Sequence, residues 1–295
     1  MSDPVAPELR RIRTDAGLTV VLERFGRPSE RPPVLLLHGG GQTRHSWAGT
    51  AARLAERGYE AWTMDLRGHG DSDWATDGDY TTDAMVEDLD AVCAEIGRPP
   101  VLVGASMGGM VGLVSEGSLR PGRLRALVLV DIATQLEQAG VERIVGFMSA
   151  APDGFATLDE AADAIAAYRP NRPRPSNLDG LRKNLRQGED GRWRWHWDPA
   201  FLSGKSRDGR SDVDTLGDAA RKLALPTLLV RGRMSDMLSL EGVATFREQC
   251  PQARFVDIAD AGHMVVGDRN DAFTDAVVDF VDQLDEDGRD EELAS

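Results

Sequence analysis

The feature that most restricts what this chain can fold into is a rhythm. Short unbroken apolar runs alternate with stretches of helical spacing. The runs are PVLLLHGGG from Pro33, YEAWTMD from Tyr59, VLVGASMGGM from Val101, LRALVLVDIA from Leu124, LPTLLVRGR from Leu225 and ARFVDIADAG from Ala253. A strand with one wet face alternates apolar and polar residues. A strand buried on both faces is apolar throughout, as these are. Between the runs, Trp47, Ala51, Leu54 and Ala55 recur at helical spacing, and YTTDAMVEDLDAVCAEIG is an amphipathic helix that Asp79 or Thr81 could cap. Further helices are expected from Met107 to Ser115, Leu240 to Gln249 and about Asn270 to Leu284. Strand, helix, strand in this order predicts an α/β fold: a mostly parallel sheet covered on both faces. LRRIRT and LTVVLERF add two strands around the turn Asp15-Ala16-Gly17.

The rhythm stops between about Thr134 and Gly217. There, Ala-rich helical pieces give way to NRPRPSN and EDGRWRWHWDPAF, with no long β run. We therefore read residues 1–133 as the first part of one α/β core and 134–216 as an inserted, mainly helical cap. Residues 217–284 complete the core, and 285–295 form a charged tail expected to fray. A chain of 295 residues suffices for one such domain with an insertion.

The net charge of −15 disfavours nucleic acid and anionic membranes as partners. No apolar run is long enough to span a bilayer, and MSDPVAPELRR lacks the apolar core of a secretory signal. A soluble cytoplasmic protein is expected, monomeric or homodimeric. Cys93 and Cys250 are far apart and show no metal-binding spacing; both read as buried free thiols, and no metal or cofactor is expected.

Chemistry concentrates at the ends of the runs. Gly104-Ala105-Ser106-Met107-Gly108 is a G-x-S-x-G pentapeptide placed between a strand and a helix. At such a turn the serine backbone is strained, its hydroxyl projects beyond the sheet, and the helix N-terminus favours negative charge there. A serine needs a base, and with this chain order the base follows the nucleophile, which leaves His196 and His263. His263 is favoured, being in a loop after the last strand, at the edge where Ser106 emerges. His196 alternates with tryptophans and reads as exposed on a hairpin. His38 and His69 read as loop-shaping residues. For the carboxylate that orients the base, Asp236, beyond the strand Thr227–Val230, is preferred over Asp131 at the end of LRALVLV, on chain order alone. The backbone N–H groups of Met107 and Gly40, with Gly41 as alternative, are candidates to hold a developing oxyanion.

Taken together, LLLHGGG, DLRGHGDSD, GASMGG, RGRMSD and AGHM, in this order, resemble the α/β-hydrolase superfamily over roughly residues 9–132 and 216–283. The resemblance implies an eight-stranded, mostly parallel sheet with the cap entering after the sixth strand, and makes Arg67, Gly68 and Asp71 scaffold residues of a loop near the site. Similar capped proteins include esterases, cofactor-free peroxidases and epoxide hydrolases. The last of these use an aspartate nucleophile, whereas the elbow here holds Ser106. The cap also carries a single tyrosine, Tyr168, so a tyrosine pair activating an epoxide is excluded.

In DGRWRWHW the period of two puts Trp193, Trp195 and Trp197 on one face. They could wall an acyl pocket; burial of the cap against the core is the preferred reading. Gly41, Trp47, Met234 and Met264 are further pocket candidates. The expected function is a serine hydrolase acting on a carboxylic ester or lactone of a small, largely apolar molecule. Perhydrolysis and carbon–carbon bond hydrolysis with the same triad are catalytic alternatives, and a non-catalytic ligand receptor on the same fold is an alternative of another class.

Overall fold

The computed structural model describes residues 6–168, 174–175, 177–202, 213–259, 261–263 and 271–294. Its centre is an eight-stranded sheet in the order β1-β2-β4-β3-β5-β6-β9-β10. Strands β1 (Glu8–Arg13) and β2 (Thr19–Phe25) form the expected antiparallel pair, and β2 runs antiparallel to β4 (Ala61–Asp65). The remaining neighbours are parallel: β4 with β3 (Val34–Leu37), β3 with β5 (Val101–Ala105), β5 with β6 (Ala126–Val130), β6 with β9 (Thr227–Gly232), and β9 with β10 (Arg254–Ile258).

The unbroken apolar runs are explained by what covers them. Leu35, Leu37, Leu102, Leu127 and Leu129 face a layer built by α2 (Thr82–Ile96), α3 (Met107–Val114), α7 (Val213–Arg221) and α8 (Leu240–Gln249). Val34, Leu36, Val101, Val103 and Val130 face α1 (Ala48–Glu56) and α9 (Asp271–Ala294) on the other side. Alternate side chains of one strand thus enter opposite cores, so neither position tolerates a polar group. Helix α2 starts where Thr81 accepts the Ala84 N–H at 3.3 Å and ends at Gly97, in the left-handed region at φ 77°.

The segment expected to form the cap comprises α4 (Gln138–Ser149), α5 (Leu158–Tyr168), α6 (Leu178–Leu181) and a short hairpin of β7 (Leu185–Gln187) and β8 (Trp193–Trp195) among the described residues. It has its own apolar centre, including Met148, Phe155, Ile165, Leu185, Trp195 and Trp197. Beyond β8 the chain is tied to the core: Trp197 bridges His69, Gly70 N–H donates to the His196 carbonyl at 2.8 Å, and Asp198 N–H donates to the Gly68 carbonyl at 2.8 Å.

Two segments differ from the sequence reading. Helix α7 begins at Val213 and buries Leu216, Ala219 and Ala220 in the core, so it belongs to the core rather than to the end of the cap. The charged segment after Leu284, expected to fray, continues α9 as helix through Ala294. Among the described residues no helix is long and apolar enough to cross a membrane, and no acidic, His or Cys cluster has the makings of a metal site.

Candidate active site

In a parallel sheet the strand C-terminal ends share one edge, and loops leaving that edge meet. Ala105 pairs with Val130 and Val130 with Val230, so Ser106, Asp131 and Arg231 follow in register at neighbouring strand ends. The Ser106 N–H donates to the Val130 carbonyl at 3.1 Å and the Asp131 N–H to the Val230 carbonyl at 2.7 Å.

Ser106 has φ 45° and ψ −113°, a conformation that L-residues avoid, and the first helical residue of α3 is Met107. The glycines around it are demanded by close packing. A Cβ at Gly104 would sit inside the backbone of Gly108–Gly109, and one at Gly108 would lie 2.6 Å from Cβ of Leu37 and 2.8 Å from the His38 carbonyl. Strand and helix can approach this closely only without side chains, and that approach bends the chain sharply at Ser106.

The candidate base, His263, is held from an unexpected side. His263 Nδ1 lies 2.6 Å from Oδ2 of Asp131, and both side chains are buried. Asp131 is fully buried and itself in the left-handed region, φ 53°. Its Oδ1 accepts the Gly232 N–H at 3.1 Å, and its Oδ2 also accepts the Ser235 hydroxyl at 2.5 Å. Nε2 of His263 is buried and has no hydrogen-bond partner among the described residues. A carboxylate on Nδ1 sets the tautomer that leaves Nε2 as acceptor.

Asp236, preferred from chain order, does not meet His263. Its carboxylate pairs with Arg143 of α4 at 2.7 Å, with the Asp236 side chain 35% exposed. Both aspartates leave strand ends on the same edge. The turn from Gly232 to Ser235 is tight, its Ser235 N–H bonded to the Gly232 carbonyl at 2.9 Å, and it presents Ser235 rather than Asp236 to the site.

The His38-Gly39-Gly40-Gly41 loop is fixed by its histidines and by Gln42. Gly39 N–H donates to Gln42 Oε1 at 3.1 Å and Gly41 N–H to His69 Nε2 at 3.2 Å, while the Gly40 N–H between them has no hydrogen bond among the described residues. His38 accepts the Leu66 N–H on Nε2 at 3.0 Å and meets the Gly39 carbonyl with Nδ1 at 2.8 Å. Burial pushes His38 down to about 4 and His69 to about 3, so both are neutral scaffold groups, as the sequence suggested. Gly39 sits beside Ser106, an added Cβ falling 3.4 Å from Cβ of that residue.

The cap reaches this loop. Added Cβ atoms would lie 3.7 Å from the Phe201 ring at Gly40, and 3.1 Å from the Met148 methyl and 3.3 Å from the Trp197 ring at Gly41. Trp197 stacks on Trp195 with centroids 5.2 Å apart and planes 7° apart. Of the pocket candidates, Gly41 therefore lies in the candidate oxyanion loop, Trp197 adjoins it, and Trp195 stands behind Trp197. Trp47 is fully buried in the core on the other face of the sheet, its indole N–H bonded to the Leu37 carbonyl at 2.9 Å. Trp193 lies under the Arg182 guanidinium at 5.2 Å, and Met234 is 51% exposed after β9. Met264 lies outside the described residues.

His196, read as exposed, is buried at the joint between cap and core. Burial and the Arg186 charge push it down to about 4. Phe201 escaped the sequence reading; the signal was the Asp198-Pro199 helix start, where Oδ1 of Asp198 accepts the Ala200 N–H at 2.9 Å. The loop residues implied by the resemblance are scaffold. Arg67 makes a buried bidentate pair with Asp88 at 2.6 and 2.8 Å, and Asp71 joins Asp65 around Arg44.

A buried carboxylate–imidazole pair at a sheet edge, beside a strained serine and a glycine loop, defines a candidate nucleophilic centre on an α/β scaffold. The chain belongs to the α/β-hydrolase fold family, whose model matches residues 32–269. It is 30% identical over 284 residues to the esterase Rv0045c of Mycobacterium tuberculosis, covering 94% of this chain and 90% of that protein. It is 28% identical to the 3-hydroxybutyrate-oligomer hydrolase of Cupriavidus necator, covering 84% and 88% of the two chains. An α/β hydrolase from Novosphingobium aromaticivorans superposes with a TM-score of 0.79 at 27% identity, covering 94% of this chain and 98% of that one. Relatives over nearly the whole length are thus named as hydrolases.

Proposed function

We propose that the protein is a serine hydrolase that cleaves a carboxylic ester or lactone of a small, largely apolar molecule. The observation that carries this reading is the buried Asp131–His263 pair with Nε2 unpartnered, at the sheet edge where Ser106 emerges. His263 Nε2 takes the Ser106 proton as Oγ attacks the substrate carbonyl. The Asp131 carboxylate holds Nδ1–H and stabilises the imidazolium that forms. The N–H groups of Met107 and Gly40 receive the oxyanion, with the N-terminus of α3 aimed at the same charge.

Collapse of the tetrahedral species breaks the bond to the alkoxide, which takes the proton from His263. The acyl group stays on Ser106. A water then gives its proton to His263 and attacks the acyl carbon, and the acid leaves as Ser106 regains its proton. Met148, Trp197 and Phe201 over the glycine loop support an apolar substrate, and the relatives' names support esters as its class.

The test is hydrolysis of p-nitrophenyl butyrate. Wild type turns over and Ser106→Ala loses at least about 10⁴-fold while remaining folded. Equal turnover by both proteins would refute the reading. A non-catalytic receptor would fail to react with a fluorophosphonate.

A further inference from the structure

We propose that Ser235 is a positioning residue whose hydroxyl holds the Asp131 carboxylate in the orientation that receives His263. The proposal rests on the triad reading above. Ser235 lies in the turn after β9, and its hydroxyl oxygen is 2.5 Å from Oδ2 of Asp131, the same oxygen that meets His263 Nδ1 at 2.6 Å. The direction of the Ser235 bond is fixed by its surroundings. The oxygen accepts the N–H of Met237 at 3.1 Å and of Leu238 at 3.3 Å, which occupies its lone pairs and leaves the hydrogen to point at Asp131. A carboxylate is acceptor only, so the bond can run only from Ser235 to Asp131.

The arrangement answers a need. Asp131 is fully buried, and a buried carboxylate is tolerated only when donors saturate it. Gly232 N–H serves Oδ1, and Ser235 shares Oδ2 with the histidine. Without the hydroxyl, Gly232 is the one remaining fixed donor besides His263 among the described residues, and the carboxylate can rotate about its Cβ–Cγ bond. The imidazole is then no longer held in one orientation, and small misplacements of a catalytic group cost up to about 10²-fold in rate. Binding of the substrate, by contrast, is assigned to the glycine loop and cap, and the Ser235 hydroxyl bonds to neither, its partners being Asp131, Met237 and Leu238.

The experiment is a double-mutant cycle on p-nitrophenyl butyrate hydrolysis and on the rate of fluorophosphonate labelling at Ser106. Ser235→Ala is expected to lower kcat about 10- to 100-fold with KM within about twofold. Ser235→Thr, which keeps the hydroxyl, stays within about threefold of wild type. In an Asp131→Asn background the further loss from Ser235→Ala shrinks to less than about threefold, because the group it positions is gone.

Ser235→Cys repeats the measurement if alanine disturbs the turn, as judged by thermal unfolding. The proposal is overturned if Ser235→Ala keeps wild-type kcat, or if its cost is the same with and without Asp131. The triad reading fails separately, through wild-type turnover by Asp131→Asn.

Discussion

Asp131→Asn and Asp236→Asn should separate by more than three decades in kcat. Asparagine suits position 131 because it tolerates the left-handed backbone that Asp131 adopts at φ 53°, where alanine would add strain. It can still accept the Gly232 N–H, which Asp131 receives at 3.1 Å, so the fold is preserved. What is lost is the charge on Nδ1 of His263, now 2.6 Å away and shielded from water. In a triad, exchanging this carboxylate for an amide costs about 10⁴-fold, or about 5 kcal/mol of transition-state stabilisation. Asp236→Asn removes a partly exposed pair with Arg143, whose side chains are 35% and 51% exposed. Such pairs contribute about 1 kcal/mol or less. Its kcat should stay within about threefold of wild type. The assay is p-nitrophenyl butyrate hydrolysis at saturating substrate, with urea unfolding of each variant as control. An inactive Asp236→Asn beside an active Asp131→Asn would refute the assignment of the acid.

Further outcomes follow from the same geometry. Ser106→Gly relieves the φ 45° strain and should be inactive yet about 1 kcal/mol more stable than wild type by urea unfolding. Gly108→Ala places a methyl 2.6 Å from Cβ of Leu37 and should cost about 3 kcal/mol on the same assay. Arg67→Ala strands the buried Asp88 charge and should cost about 3–5 kcal/mol, whereas Arg67→Met with Asp88→Leu should cost less. Buried neutral His38, held down near 4 against 6.5 when unfolded, makes the unfolded chain bind more protons between those pH values. Stability is therefore retained above pH 6.5 and lost as pH falls toward 4, by about 2 kcal/mol at pH 5 from this group alone. The urea midpoint should drop accordingly between pH 7 and pH 5.

The strands and the turn at Ser106 were legible because each is a local pattern: six apolar runs, and a serine boxed by glycines where strand and helix touch. The pairing of acid and base was not. Asp131 and Asp236 both follow apolar runs and both precede His263 in the chain. The choice depends on a turn of four residues, Gly232 to Ser235, that brings the Ser235 hydroxyl to Asp131 while Asp236 pairs with Arg143 of the cap. The unusual backbone of Asp131 has no sequence signature beyond the aspartate itself. His196 was misjudged for a related reason. Period two describes β8, but the chain beyond it pairs with the loop from Gly68 to Gly70, and that tertiary contact buries the histidine. Helix α7 was split at the wrong point because its apolar residues, Leu216, Ala219 and Ala220, are small or few, and only their partners in the core reveal their allegiance.

Whether Ser106 is an activated nucleophile can be read from peptide mass spectrometry after fluorophosphonate treatment. A single adduct is expected on the peptide carrying Ser106, absent in Ser106→Ala and formed far more slowly in Asp131→Asn. No adduct on the wild-type protein, or an adduct that persists in Ser106→Ala, would contradict it.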